Sequence, residues 1–312
     1  MTEGTNKTLI QEDTAAPDVE TTYEAADSGQ AMSPGKVLWK RFRRNHVAMV
    51  SLYIMIVLIL LAALAPFLSS YGRDAIDLTN REMPPSRDHW FGTDRNGRDL
   101  FIRVLYGGRI SLSVGLVASS IQMVIGVVLG SLAGYYGKWV DALIMRITDM
   151  VLSFPFLALA ITGAAIMGPS IYNTMIIIGL LSWTETCRLV RGQFLSIKHT
   201  EYIEATKALG FSELRTIWRH MLPNAMAPIL ISATLIMANA VLIEAALSYL
   251  GLGVQPPIPS WGNILEPARN MAILMRMWWL WLPPGLLIFI SVLSINLVGD
   301  GLRDALDPRL KQ

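Results

Sequence analysis

The residues of this 312-residue chain that could do chemistry are scattered, not clustered. His46, His89, His199 and His220 fall in separate segments, and the single Cys187 excludes an internal disulfide and a thiolate metal cluster. No GxxxxGKS/T phosphate loop, HExxH zinc helix or GxSxG nucleophile elbow occurs. The chain is therefore expected to bind no cofactor or metal and to catalyse nothing itself. Two features stand apart from this background. Glu244 follows the charge-free run 220–243, where a carboxylate facing lipid is costly, so it is expected to face protein or an aqueous path. Segment 188–223 carries two short amphipathic helices. In the first, Tyr202, Ala205 and Leu209 recur at helical spacing while Glu201, Glu204 and Lys207 stay polar. Gly210 stops that helix by taking a left-handed turn. Ser212 is placed to cap the second, whose stripe is Leu214, Ile217, Trp218 and Met221, and Pro223 breaks the pattern. Two helices hinged at a glycine make either a hairpin lying on lipid or a rigid docking element for a separate subunit. Ala205 and Ala208 would let another surface approach closely.

The elements that must position these residues are membrane spans. Mean hydropathy is +0.43, with 53% hydrophobic and 16% charged residues, against roughly 25% charged in a soluble domain. The stretches 45–72, 110–137, 220–243 and 277–299 contain no Asp, Glu, Lys or Arg, and a longer one, 150–184, is interrupted at Gly168–Pro169. Since about 20 helical residues cross the hydrocarbon layer, the expected fold is an all-α polytopic membrane protein with six spans. These lie near 47–69, 111–134, 147–167, 171–188, 225–247 and 278–299. Pro155 and Pro169 should kink or end helices. Gly126, Gly130 and Gly134, spaced by four, offer a small face for close helix packing, inside the subunit or against a partner.

The acidic, Thr-rich stretch 1–34 reads as a disordered tail with no signal-peptide pattern. Residues 35–110 hold a basic juxtamembrane helix suited to anionic lipid, the first span and a polar external insert. Residues 111–303 form the core spans with the cytoplasmic segment 188–223, and 304–312 close the chain as a tail. With both termini in the cytoplasm, 17 of the 26 Lys and Arg face inward and 9 outward. A net charge of +2 gives no reason to expect a nucleic-acid partner.

Several motifs, in order, carry a family resemblance. Glu204-Ala205-Thr206-Lys207-Ala208-Leu209-Gly210, followed by Met221-Leu222-Pro223-Asn224, resembles the "EAA" signature of binding-protein-dependent ABC importer permeases, with Thr206 replacing the second usual alanine. Further motifs are Phe91-Gly92-Thr93-Asp94 with Gly97-Arg98-Asp99, Gly107-Gly108-Arg109-Ile110-Ser111-Leu112 and Ser153-Phe154-Pro155-Phe156. Others are Val190-Arg191-Gly192-Gln193, Leu250-Gly251-Leu252-Gly253 with Ser260-Trp261-Gly262, and the stretch from Gly299 to Pro308. Together they resemble the C-type permease (OppC or DppC) of oligopeptide and dipeptide importers.

The resemblance implies the type I importer permease fold in a bacterial or archaeal plasma membrane. It also implies a homologous B-type permease sharing the translocation path, two cytoplasmic ATPase subunits that use the ATP, and an extracytoplasmic solute-binding protein. The helix and turn at 201–215 would be the coupling helix, with Glu204, Ala205, Ala208, Gly210 and Pro223 as its signature positions. For Glu244 the residues themselves leave two readings, a structural hydrogen bond near the outer surface, which is the simpler, or a contact with a peptide amine on the translocation path. The insert 70–109 and the loop around Trp261 would meet the binding protein. Relatives of this kind also carry nickel, glutathione or other small solutes. An ion-coupled secondary transporter would need paired mid-span acids or broken-helix repeats, and neither stands out.

Overall fold

The computed structural model describes residues 34–306, and every regular element in them is helical. The tail expected at 1–34 and the last six residues fall outside the described residues, apart from Pro34. The helices are α1 (Pro34–Phe42), α2 (His46–Ala63), α3 (Ala65–Leu68), α4 (Leu100–Tyr136), α5 (Lys138–Leu152), α6 (Phe156–Met167) and α7 (Ile171–Ile197). They continue with α8 (Glu201–Ala208), α9 (Glu213–Arg215), α10 (Leu222–Tyr249), α11 (Trp261–Leu265), α12 (Met271–Arg276) and α13 (Trp278–Leu306).

Among the described residues, four helices are long and apolar enough to cross a membrane: α2, α4, the continuous run Glu213–Tyr249, and α13. The pair α5 and α6 passes the same test jointly, but bends by 84° at its break. The chain is thus an all-α polytopic membrane protein. The third expected span, 147–167, is no single straight helix, because the chain leaves the helix at Ser153, Phe154 and Pro155. Pro155 supplies no amide donor, so the turn before α6 cannot join the α5 ladder. Helix α7 has 27 residues but carries Glu185, Arg188 and Arg191, and it is not among the four.

Local chemistry sets the helix ends. Asn45 caps α2 by accepting from the Ala48 amide at 3.1 Å, and Asp99 caps α4 by accepting from the Ile102 amide at 2.9 Å. Helix α4 begins inside the polar insert, at Leu100, continues unbroken to Tyr136 and stops at Gly137 with φ +66°. Arg109 donates to the carbonyls of Ala62 and Ala63, satisfying the C-terminal end of α2. Helix α2 is apolar all round and exposes Val50, Tyr53, Val57 and Ile59, as a lipid-facing helix does.

The glycine repeat on α4 packs inside the subunit. A Cβ added at Gly126 would lie 2.4 Å from the Thr186 Cβ, at Gly130 2.5 Å from the Cys187 carbonyl oxygen, and at Gly134 2.4 Å from the Phe194 Cβ. All three neighbours belong to α7, so α4 and α7 touch nearly backbone to backbone.

Candidate functional site

The segment between α7 and α10 is built as an anchored bracket. Thr200 precedes α8, whose inward side chains are Ile203 and Thr206. Ile203 is fully buried among Phe194 of α7, Tyr135 of α4, and Ile217, Met221 and Ala225 at the start of the next run. The Tyr136 hydroxyl donates to Glu213 Oε2 at 2.9 Å, tying the end of α4 to the second limb. Phe211 stacks on His220 at 5.5 Å, and the Arg215 guanidinium sits 4.5 Å over the Phe211 ring. Apolar burial and these polar ties hold α8 to three membrane helices.

The turn is as expected: Gly210 has φ +75°, its amide donates to Lys207 O at 3.0 Å, and the Phe211 amide donates to Thr206 O at 3.1 Å. That pattern satisfies the last carbonyls of α8 and requires the left-handed conformation glycine adopts freely. Three details differ from the sequence expectation. The apolar stripe Tyr202, Ala205 and Leu209 faces outward, with Leu209 72% exposed, while Ile203 and Thr206 face the core. The Ser212 side chain makes no capping bond. Pro223 does not end the second helix. A π-helical turn, Thr216–Met221, precedes it, and Pro223 lies in the first turn of α10, where a missing amide costs little.

The bracket therefore exposes Glu204, Ala205 and Ala208 on α8, Leu209 just after it, and Leu214 on α9. An apolar face framed by Glu201, Glu204 and Lys207, and seated on a rigid base, has the character of a docking surface.

At the other end of the molecule, Glu244 is fully buried. Ser111 of α4 donates to its Oε2 at 2.7 Å and Ser248 to its Oε1 at 2.7 Å. Ser111 Oγ also accepts from the Trp261 amide at 3.1 Å, and Ser248 Oγ from the Val254 amide at 3.0 Å. The carboxylate thus knots α4, α10 and the loop 250–261 together. The structure places it in the protein interior. Its partners sit more than a hundred residues away in Ser111 and close by in Ser248; only the polar character of those positions hinted at them.

Trp261 is also interior, 2% exposed, donating from Nε1 to Val104 O at 3.0 Å. Its ring lies against Gly107 and Gly108, where an added Cβ would stand 3.3 and 3.0 Å from it, tighter than ordinary contact. The expectation that Trp261 itself meets a binding protein is corrected by this packing: the indole is a core anchor. Replacing Glu244 with alanine leaves two buried serine hydroxyls without their acceptor. It should lower stability by about 2–3 kcal/mol, and glutamine by much less, read as thermal unfolding in detergent. Equal melting of all three proteins would show that the knot carries no load.

Comparison with known proteins sets this geometry in a family. The sequence matches the family described as "Binding-protein-dependent transport system inner membrane component" over residues 126–312. It matches "N-terminal TM domain of oligopeptide transport permease C" over residues 33–85. It is 45% identical to the dipeptide transport system permease protein DppC of Alkalihalophilus pseudofirmus, over 91% of this chain and 93% of that protein. It is 41% identical to the oligopeptide transport system permease protein OppC of Bacillus subtilis, over 92% and 96% respectively. Among solved structures, the inward-facing MetNI methionine ABC transporter shares the fold, with TM-score 0.55 at 20% identity, covering 66% of this chain and 97% of that one. The chain belongs to the family of binding-protein-dependent transport system inner membrane components.

Proposed function

We propose that this chain is the C-type permease subunit of an ATP-driven importer of oligopeptides or dipeptides. It forms half of the translocation path with a homologous B-type permease. Separate ATPase subunits hydrolyse the ATP, and an extracytoplasmic binding protein delivers the cargo. The observation that carries the peptide reading is that relatives alike over nine-tenths of the chain are dipeptide and oligopeptide permeases. In this reading six crossings are made by α2, α4, the broken pair α5–α6, α7, α10 and α13. The bracket at 201–215 is the coupling helix, and its exposed face around Glu204, Ala205 and Ala208 seats in an ATPase cleft. A short stiff helix anchored to α4, α7 and α10 can pass a rigid-body shift into the spans, which a loose loop could not.

The Lys and Arg split puts both termini on the cytoplasmic side, and the contacts sort the helix ends into two faces. The end of α4 meets the bracket through Tyr136 and Glu213, and both segments are assigned inward. The start of α4 meets the loop 250–261 through Ser111 and Trp261, and both are assigned outward. The exposed parts of the insert 70–109 and of that loop are the surface left for a binding protein.

Two measurements test the proposal. Leu209→Cys should be labelled by membrane-impermeant maleimide only from the cytoplasmic side of sealed vesicles, and Gln255→Cys only from outside. The native Cys187 is buried and should stay silent. Labelling of position 209 from outside overturns the topology. For cargo, the complex with its partner permease, ATPases and binding protein should take up labelled peptide with stimulated ATP hydrolysis. Stimulation by another solute and not by peptide overturns the cargo.

A further inference from the structure

A cavity of about 180 Å³ lies where α4, α7 and α10 meet the break between α5 and α6. Its polar lining is Gln122 of α4, Ser182, Thr184 and Glu185 of α7, and Asn239 of α10; Phe154 of the break and Phe156 of α6 form an apolar wall. In the six-crossing arrangement Gln122, Asn239 and Phe154 fall inside the spans expected at 111–134, 225–247 and 147–167, and Glu185 lies toward the cytoplasmic end of 171–188.

Three independent observations make this more than a packing gap. Gln122 is only 4% exposed, yet its carboxamide has no hydrogen-bond partner among the described residues. Its amide atoms are not sealed off as the Thr186 and Ser291 hydroxyls are, so they open on the cavity, where water or a ligand can supply the missing bonds. Glu185 and Asn239 also line the cavity; unlike Gln122 they are exposed in this chain, and with no side-chain partner among the described residues their polar groups are open to water or a ligand. Finally, the chain abandons helical geometry at Ser153–Pro155 inside the membrane, which is tolerated where the backbone is sheltered by protein or lines a wet cavity. The contrast with Glu244 is direct. That carboxylate is consumed by two serines, whereas Gln122, Asn239 and Glu185 keep their hydrogen-bonding capacity unspent.

We infer that this cavity is the part of the path that touches cargo in this subunit, a site for peptide backbone built from Gln122 and Asn239 with Glu185 as the seat for a cationic terminus. The inference rests on the peptide reading above. A carboxamide offers one acceptor and two donors, so it pairs with a peptide amide whatever the side chain. Two such groups beside an aromatic wall suit cargo whose backbone is constant and whose side chains vary. The volume is below the roughly 300–1,000 Å³ of complete ligand pockets, which is the expected size of a half-site whose other half belongs to the partner permease.

The test uses the assembled importer, reconstituted with its partner permease, ATPases and binding protein. Gln122→Cys and Asn239→Cys should react with a water-borne methanethiosulfonate reagent, and turnover with peptide and ATP should slow that reaction about tenfold. Gln122→Leu should cut peptide uptake by about tenfold, the scale of one lost hydrogen-bonding partner, while binding-protein-stimulated ATP hydrolysis persists. Thiols that are unreactive, or that react at one rate with and without cargo while peptide uptake proceeds, overturn the site and leave the cargo reading standing. Protection by some other transported solute, with no peptide uptake, overturns both the amide recognition and the peptide reading.

Discussion

Alanine in place of Gly130 is expected to destabilise the protein by about 3 kcal/mol, and trimming a neighbouring side chain should not restore it. The new methyl would sit 2.5 Å from the carbonyl oxygen of Cys187, a backbone atom that no substitution removes. Val190→Gly clears the next contact, at 2.8 Å, but leaves the oxygen in place. Gly126→Ala differs in kind. Its nearest obstacles are the Cβ and Cγ2 of Thr186, at 2.4 and 2.7 Å, so Thr186→Gly should recover part of the loss. A double-mutant cycle read by thermal unfolding in detergent should give a coupling energy of about 1–2 kcal/mol for the 126–186 pair and near zero for 130–190. Rescue of Gly130→Ala by Val190→Gly would show that α4 and α7 are not held backbone to backbone. The consequence reaches the candidate coupling site, because Phe194 and Val190 of α7 belong to the cluster on which Ile203 seats α8. Loosening the α4–α7 contact should therefore loosen the base of the bracket too.

How far the sequence could be read depended on whether the signal was local. The charge-free runs placed α2, α4, α10 and α13, because lipid solvation leaves no room for unpaired charge over that length. Gly210 was readable as a left-handed stop for the same kind of reason: one residue type alone fits there cheaply. The outward turn of Tyr202, Ala205 and Leu209 was not readable. On an eight-residue helix the apolar positions form two overlapping stripes, and only packing on Phe194 and Met221 selects Ile203 as the inward one. Pro223 misled because a proline in the first turn of α10 and a proline ending a helix look alike until the π-helical turn before it is known. Trp261 sits in a loop rich in turn signals, which suggests a surface. Its burial is dictated by Gly107 and Gly108, some 150 residues earlier in the chain. Gln122 and Asn239 were visible as polar residues in otherwise apolar spans, but their lack of partners is a tertiary fact.

Valine at Gly210 is expected to separate ATP hydrolysis from uptake. Nothing lies within 4 Å of a Cβ built there, so the substitution meets no steric obstacle from a neighbour. Its cost is conformational: φ is +75°, and a β-branched residue is strained in that region by about 1–3 kcal/mol. The chain can relieve the strain by giving up the amide bonds of residues 210 and 211 to Lys207 and Thr206, which frees α8 from the limb after it. Asparagine tolerates the left-handed region and should retain most of the uptake. Glu204→Ala tests the other half of the proposal. Glu204 is exposed and has no side-chain partner among the described residues, so its loss should change stability by no more than about 0.5 kcal/mol. If its charge is buried against an ATPase subunit, truncation should instead weaken that association, by as much as about 2–5 kcal/mol for a desolvated pair. Peptide uptake in vesicles, with co-purification of the ATPases and of the partner permease, separates the outcomes. Gly210→Val should keep all partners and ATP hydrolysis but lose uptake; Glu204→Ala should lose ATPase subunits and keep the partner permease. Normal uptake in both variants removes the coupling role from 201–215. Loss of the partner permease as well would make the bracket a folding element, whose seat under Ile203 matters more than the face it exposes.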